Sequence, residues 1–151
     1  EDSENIIVRC ELAAAYVKKD LVDEAISECK NALDMNSEYA PVHNCLGLAY
    51  EKKGMIDEAV SEFREAAAIN HNYAVADNNL GLAYLKQESF EEAISEFNSA
   101  LAINPIYSTV HNNLALAHYR LAFEHHRKAI ELGFKVDTPF FESSGQERAK
   151  G

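Results

Sequence analysis

Residues 46–70 read LGLAYEKKGMIDEAVSEFREAAAIN, and residues 80–104 read LGLAYLKQESFEEAISEFNSALAIN. The second stretch follows the first at a shift of 34, and the same shift carries LAAAYVKKDLVDEAISECKNALDMN at 12–36 onto the first. Self-similarity at a fixed period of this size marks a stack of like units, each too thin to cover its own apolar faces.

Within each unit the apolar residues fall at helical spacing in two runs. Leu46, Ala49 and Tyr50 share one stripe of the first run, and Ala59, Val60, Phe63 and Ala67 share one stripe of the second. Between them lies KKGMID, in which Gly54 ends the first helix while Met55 and Ile56 anchor the start of the next. The third unit has QESFEE here, with Ser89 as the expected N-cap and Phe90 as its apolar anchor. Each unit is thus predicted to be two antiparallel helices and a short turn.

Small residues recur where helices must approach closely. Gly47 and Gly81 fall mid-helix, which costs about 1 kcal/mol against Ala unless a neighbour needs the space. Ala25, Ala59 and Ala93 recur at the start of the second helix, and Ala32, Ala66 and Ala100 in its third turn. Tyr16, Tyr50 and Tyr84 form a column of large residues, and Phe63 and Phe97 another, with Cys29 the smaller occupant in the first unit.

The Leu-Gly-x-x-Tyr pieces at 46–50 and 80–84, the Ala-x3-Phe pieces at 59–63 and 93–97, and Pro105 resemble the tetratricopeptide repeat. The resemblance covers about residues 6–132. It departs from the family where Arg9, His43, Asp77 and His111 replace the usual tryptophan, and where Ser37 and His71 replace the unit-closing proline. The resemblance implies an all-α, right-handed superhelical solenoid of antiparallel helix pairs, the first helix of each pair lining a concave groove. About four repeats are expected, at 6–39, 40–73, 74–107 and 108–134, in one domain over 1–134, followed by a C-terminal tail at 135–151.

The 151 residues suffice for one domain with a substantial core, and 47% hydrophobic residues is a globular composition. Lys and Arg number 14 against 25 Asp and Glu, a net charge of −11, which argues against a nucleic-acid partner. No apolar run is long enough to cross a bilayer, so no membrane partner is expected. The chain begins at Glu1 rather than Met, which leaves a fragment of a larger protein, even of an enzyme, open. Cys10, Cys29 and Cys45 lack CxxC spacing and read as reduced, buried thiols of a cytoplasmic protein.

No phosphate loop or HExxH motif is present, and neither catalysis nor a cofactor is expected. The acidic residues of the second helices (Asp23, Glu24, Glu28; Asp57, Glu58, Glu62, Glu65; Glu91, Glu92, Glu96) read as a solvated face. His111, His118 and His125 are spaced by seven, about 10.5 Å along a helix and too far to share a metal. His118 then takes the tyrosine column and His126 the phenylalanine column.

The expected working surface is the groove face of the first helices. One column reads Cys10, Asn44, Asn78, Asn112, and the next reads Glu11, Cys45, Asn79, Asn113. A turn further on come Ala14, Leu48, Leu82, Leu116, then Lys18, Lys52, Lys86, Arg120. Asparagine offers donors and an acceptor, so a ladder of them could pair with an extended peptide; the leucines add apolar contact and the cations could meet a carboxylate. The expected site is Asn44, Leu48, Lys52, Asn78, Asn79, Leu82, Lys86, Asn112, Asn113, Leu116 and Arg120, binding a peptide or protein segment.

Structural alternatives stand beside each column. The cations suit helix C-termini, Asn79 and Asn113 resemble residues that bind neighbouring backbone in the family, and the leucines could pack between units. On the peptide-binding reading, replacing Asn78 and Asn112 by Ala removes binding with little change in melting temperature. Cys10 and Ala14 occupy the first-unit slots where members that bind chaperone tails have Lys and Asn, so such a tail is disfavoured.

The fourth unit is short. Tyr16–Ala25, Tyr50–Ala59 and Tyr84–Ala93 are nine apart, whereas His118 and Ala122 are four apart, a deficit of five residues. Either the two helices fuse into one of about 37 Å over 108–132, exposing Phe123, Ala129 and Ile130 to a second protomer in a swapped homodimer, or residues are missing from the turn, or HYRL makes a tight turn. HYRL lacks turn-forming residues, and the intact pattern on both sides slightly favours missing residues. In the tail, Phe140 and Phe141 are expected to cover the end of the last unit, Thr138 and Pro139 could open a helical turn, and the last ten residues are expected to be mobile.

Overall fold

The computed structural model describes residues 2–134, with side chains from Asn5 onward; the tail expectations for Thr138–Phe141 and beyond lie outside the described residues. Seven helices follow in order: α1 (Asp2–Lys18), α2 (Val22–Met35), α3 (Ala40–Lys52), α4 (Ile56–Ile69), α5 (Ala74–Lys86), α6 (Phe90–Ile103) and α7 (Ser108–Glu131). No strand occurs among the described residues. The described residues fall into two units, the first ending at His118 and the second beginning at Tyr119.

In the first unit α1 packs on α2, α3 on α4 and α5 on α6, and each pair packs on the next through α2–α3 and α4–α5. This is the stacked helix-pair solenoid that the 34-residue shift implies. The alanine columns lie at the tightest approaches: Ala25, Ala59, Ala93, Ala32, Ala66 and Ala100 are all fully buried. So are Phe63 and Phe97, the largest fully buried side chains. A Cβ built on Gly47 would stand 2.6 Å from Phe63 Cε1, and one on Gly81 would stand 2.6 Å from Phe97 Cε1. The glycines therefore exist to seat the rings.

The turn after each first helix is the same motif three times. Leu21 N–H donates to Tyr16 O at 2.9 Å, Met55 N–H to Tyr50 O at 2.9 Å, and Ser89 N–H to Tyr84 O at 3.0 Å. Each bond spans one residue of positive φ: Asp20 (64°), Gly54 (81°) and Glu88 (60°). This is the Schellman ending, which satisfies carbonyls that the helix leaves open. Gly54 ends α3 as the sequence implied. Ser89 stands at the N-cap of α6 but makes no side-chain capping bond, and neither does Leu21 or Met55 at the same register. Asp and Glu in the first turns of α2, α4 and α6 complement the helix dipole there instead.

At the fourth unit the helix is continuous. α7 runs without a break from Ser108 to Glu131, 24 residues, through the positions where the other units turn. The tight turn at HYRL does not form, and the normal two-helix unit favoured by the flanking pattern is replaced by the fused helix. The physical reason is local: 118–122 offers no Gly, Pro, Asn or Asp, so the i→i−4 ladder has nothing to interrupt it. In the second unit α7 ends at Gly133, with φ 82°, where Phe134 N–H donates to Ala129 O at 3.1 Å, a fourth Schellman ending.

Candidate functional site

The first helices of successive units carry an unbroken chain of asparagine side chains. Asn113 on α7 donates through Nδ2 to Asn78 Oδ1 at 2.9 Å. Asn78 Nδ2 lies 3.4 Å from Asn79 Oδ1, and Asn79 Nδ2 donates to Asn44 Oδ1 on α3 at 2.8 Å. Three helices are thereby cross-linked by side-chain amides. Asn44 and Asn78 are only 7% and 5% exposed, so they are held parts of the structure. Asn79 and Asn113 are half-buried and brace them; their partners are neighbouring side chains rather than the backbone.

This alters one sequence expectation. Asn78 takes part in two of the three amide contacts, so its removal is expected to lower the melting temperature. Asn112, by contrast, is exposed on α7. Half-buried Leu48 packs against the apolar cores on both sides of α3, so it serves inter-unit packing. Leu82 is half-buried and Leu116 is 43% exposed.

The cationic row is engaged in part. Lys52 Nζ pairs with Asp20 Oδ1 at 2.9 Å and Lys86 Nζ with Glu51 Oε1 at 2.7 Å, each reaching the preceding unit. Exposed pairs of this kind contribute little and are screened by salt, so they do not lock the ammonium groups. Arg120 is exposed in the second unit.

The thiols are core residues. Cys29 is fully buried, and Cys45 nearly so. Burial pushes the Cys10 thiol up to about 11. Cys29 is raised far further, first by its hydrogen bond to Cys45, and the same bond lowers Cys45; burial keeps both sulfurs from solvent. Among the described residues no group of three or more His, Cys, Asp or Glu is placed to hold a metal ion. His118 is exposed rather than packed like the tyrosines whose column it continues.

A second constellation lies on the side of the second helices, and the sequence reading missed it. The column that lacks the family tryptophan faces the acidic column nineteen residues on. Arg9 Nη1 donates to Glu28 Oε2 at 2.7 Å. His43 Nδ1 meets Glu62 Oε2 at 2.7 Å, while its Nε2 meets Ser37 O at 2.9 Å. Glu28, Glu62 and Glu96 are thus half-buried and not part of a solvated face, unlike exposed Asp23, Glu24, Asp57, Glu58, Glu65, Glu91 and Glu92. The available signal was a polar residue recurring at a fixed offset in both columns.

In the third unit this register holds Asp77 and Glu96, two carboxyls. Burial raises Asp77, opposed by His71; burial and then the charge of Asp77 raise Glu96, opposed by Arg64. Both line a cavity of about 600 Å³ between α4, α5 and α6.

Comparison with known proteins agrees with this architecture. A family profile described as tetratricopeptide repeat matches residues 40–73, and one described as TPR repeat matches residues 81–121. No curated protein sequence matches the chain. Among solved structures, the first TPR of Spaghetti (RPAP3) bound to the HSP90 peptide SRMEEVD is similar at 25% identity, TM-score 0.77, covering 81% of this chain and 99% of that one. The first TPR domain of human RPAP3 is similar at 24% identity, TM-score 0.77, covering 80% and 95%. MamA is similar at 24% identity, TM-score 0.72, covering 84% and 77%.

Proposed function

Since the chain belongs to the tetratricopeptide-repeat family, we propose that it is a non-catalytic interaction scaffold that binds an extended peptide or protein segment along the first-helix face, used as a concave groove. The observation that supports this most is the amide chain Asn113–Asn78–Asn79–Asn44. Side chains fixed by one another need little ordering when a ligand arrives, and each amide has hydrogen-bonding capacity beyond the bonds it makes here. Leu82 and exposed Leu116 and Asn112 flank the chain as direct contacts, and Lys52 and Lys86 supply positive charge.

The similar domain of Spaghetti binds an acidic HSP90 peptide. For this chain we infer a different segment, because Cys10 and Ala14 stand where a carboxylate-clamping Lys and an Asn would be needed, and Ala14 packs against the core. The net charge of −11 also disfavours an acidic segment, a nucleic acid or an anionic membrane. Titration with the peptide SRMEEVD is expected to give no saturable signal.

The groove reading is tested by affinity capture from the native host with three baits. The wild-type chain and a Glu65→Ala control on α4 should retain the same partner, and Asn112→Ala combined with Leu116→Ala should lose it. Equal capture by all three removes the groove assignment.

A second reading follows from α7. Ile130 and Leu132 are exposed in the second unit, which favours association with a second copy through 108–132. A mass by light scattering that stays monomeric as concentration rises sinks it.

A further inference from the structure

Between α4 and α6 the cavity of about 600 Å³ is lined by Arg64, Ala67, Asp77, Glu96, Ala102 and Ile103 among others. Three observations set it apart from the same place in the other units. The first is space. Ala67 occupies the column that holds Leu33 and Leu101, so the second unit lacks the isobutyl group found before and after it.

The second is charge. Arg9 meets Glu28 and His43 meets Glu62, each a nitrogen partner for the glutamate nineteen residues on. Asp77 puts a second carboxyl against Glu96 at that register. His43 uses both ring nitrogens, one toward Glu62 and one toward the Ser37 carbonyl. An aspartate has no donor with which to do either.

The third is the state of Asp77 itself. It is 7% exposed, lines the cavity, and makes no hydrogen bond or ion pair among the described residues. Its carboxyl oxygens are not sealed in the core but open to the cavity, where no protein donor meets them. The charged groups nearby act on the two carboxyls only through space: Arg64 donates to the Tyr84 hydroxyl at 2.7 Å, and His71 Nδ1 lies 3.2 Å from the Ala67 carbonyl of α4.

We propose that this cavity is a binding site for a protonated alkylamine, its ammonium seated between Asp77 and Glu96 and its aliphatic stem against Ala67, Ala102 and Ile103. An ammonium brings donors, as the nitrogen partners Arg9 and His43 do for the glutamates of the other units; it has three, together with a positive charge. The apolar walls accept a methylene chain, as long basic side chains prefer. The head group could belong to a free amine or to a lysine side chain of a polypeptide, and the two sources share this chemistry. None of the asparagines of the amide chain lines this cavity, so the site does not depend on the groove reading.

The test is an amide NMR titration of the full chain with n-butylamine, with N-acetyl-lysine methylamide, and with n-butanol as the neutral analogue. Saturable shifts confined to residues 64–71, 77 and 96–103 are expected with an amine and not with butanol. Response to butylamine alone assigns a free amine, and response to the blocked lysine assigns a polypeptide side chain. Asp77→His should weaken amine binding on the order of tenfold by replacing a carboxyl acceptor with the imidazole found at this register in the second unit, and Ala67→Leu should do the same by filling the space. Both variants make this face resemble its neighbours, so both should fold. No response to either amine, equal response to butanol, or undiminished binding in both variants overturns the proposal.

Discussion

Asn79 on α5 donates a side-chain hydrogen bond to Asn44 on α3 at 2.8 Å, and Asn113 repeats the relation to Asn78 one unit later at 2.9 Å. The asparagines expected to meet a ligand thus first meet each other. Their contribution to binding and their contribution to the fold are separable by position.

Asn78→Ala removes a buried partner from both Asn113 and Asn79. Leaving buried polar groups without partners costs about 1–3 kcal/mol, so urea unfolding should show a loss in that range. Asn112→Ala lies on the exposed surface of α7 and should change stability by less than about 0.5 kcal/mol. Equal effects of the two substitutions would mean that the amide chain carries no stability.

The glycine and phenylalanine columns are coupled. A methyl group on Gly47 would approach Phe63 to 2.6 Å, so Gly47→Ala should destabilise by about 1–3 kcal/mol despite the better helix propensity of Ala. The first unit already shows the compensated form, with Ala13 and Cys29, both fully buried, at the same two positions. Gly47→Ala with Phe63→Cys should therefore cost less than the sum of the two single changes. A double-mutant cycle measures this, and strict additivity would show that ring and glycine do not interact.

Much of this fold was legible because it repeats. The 34-residue shift alone locates six helices, their turns and the small-residue columns, since like sequence in a stack meets like surroundings. The fused α7 was legible as a deficit of five residues but not as an outcome, because repeat logic argued for a turn and local chain chemistry for a helix. The Asp77–Glu96 pair was hidden for another reason. Its members lie nineteen residues apart in columns read separately, one as a lost tryptophan and the other as solvated acid.

The turn residue of positive φ is glycine only in the second unit; the first and third place Asp20 and Glu88 there. A non-glycine residue in the left-handed region costs roughly 1–2 kcal/mol. Part of that is returned in the unfolded state, where glycine is freer by roughly 0.4–1 kcal/mol. Glu88→Gly should therefore raise stability by about 0.5 kcal/mol, seen as a higher urea midpoint with an unchanged slope. Asp20→Gly should gain less, because Asp20 also accepts the Lys52 ion pair at 2.9 Å. A lower midpoint for Glu88→Gly would show that Glu88 makes a favourable interaction outweighing its backbone strain.

The carboxyl pair also sets a pH dependence of unusual sign. Asp77 is raised above its ordinary 3.8 by burial, against an opposing effect of His71. Glu96 is raised above 4.5 by burial and then by Asp77, against an opposing effect of Arg64. A carboxyl whose folded value is raised binds its proton more tightly in the native state than in the unfolded chain. Its contribution to stability therefore falls as pH rises through the unfolded and then the folded value, the reverse of a salt-bridged carboxylate. Asp77→Asn removes one such group and relieves the other. The variant should be more stable than the wild type at neutral pH, and the difference should shrink steadily toward roughly pH 3, where both carboxyls are protonated in folded and unfolded chains alike. Urea unfolding of both proteins across that range reads the difference directly. A variant less stable at neutral pH would mean that the Asp77 carboxylate is stabilised in the fold, and that the cavity already satisfies the charge it holds.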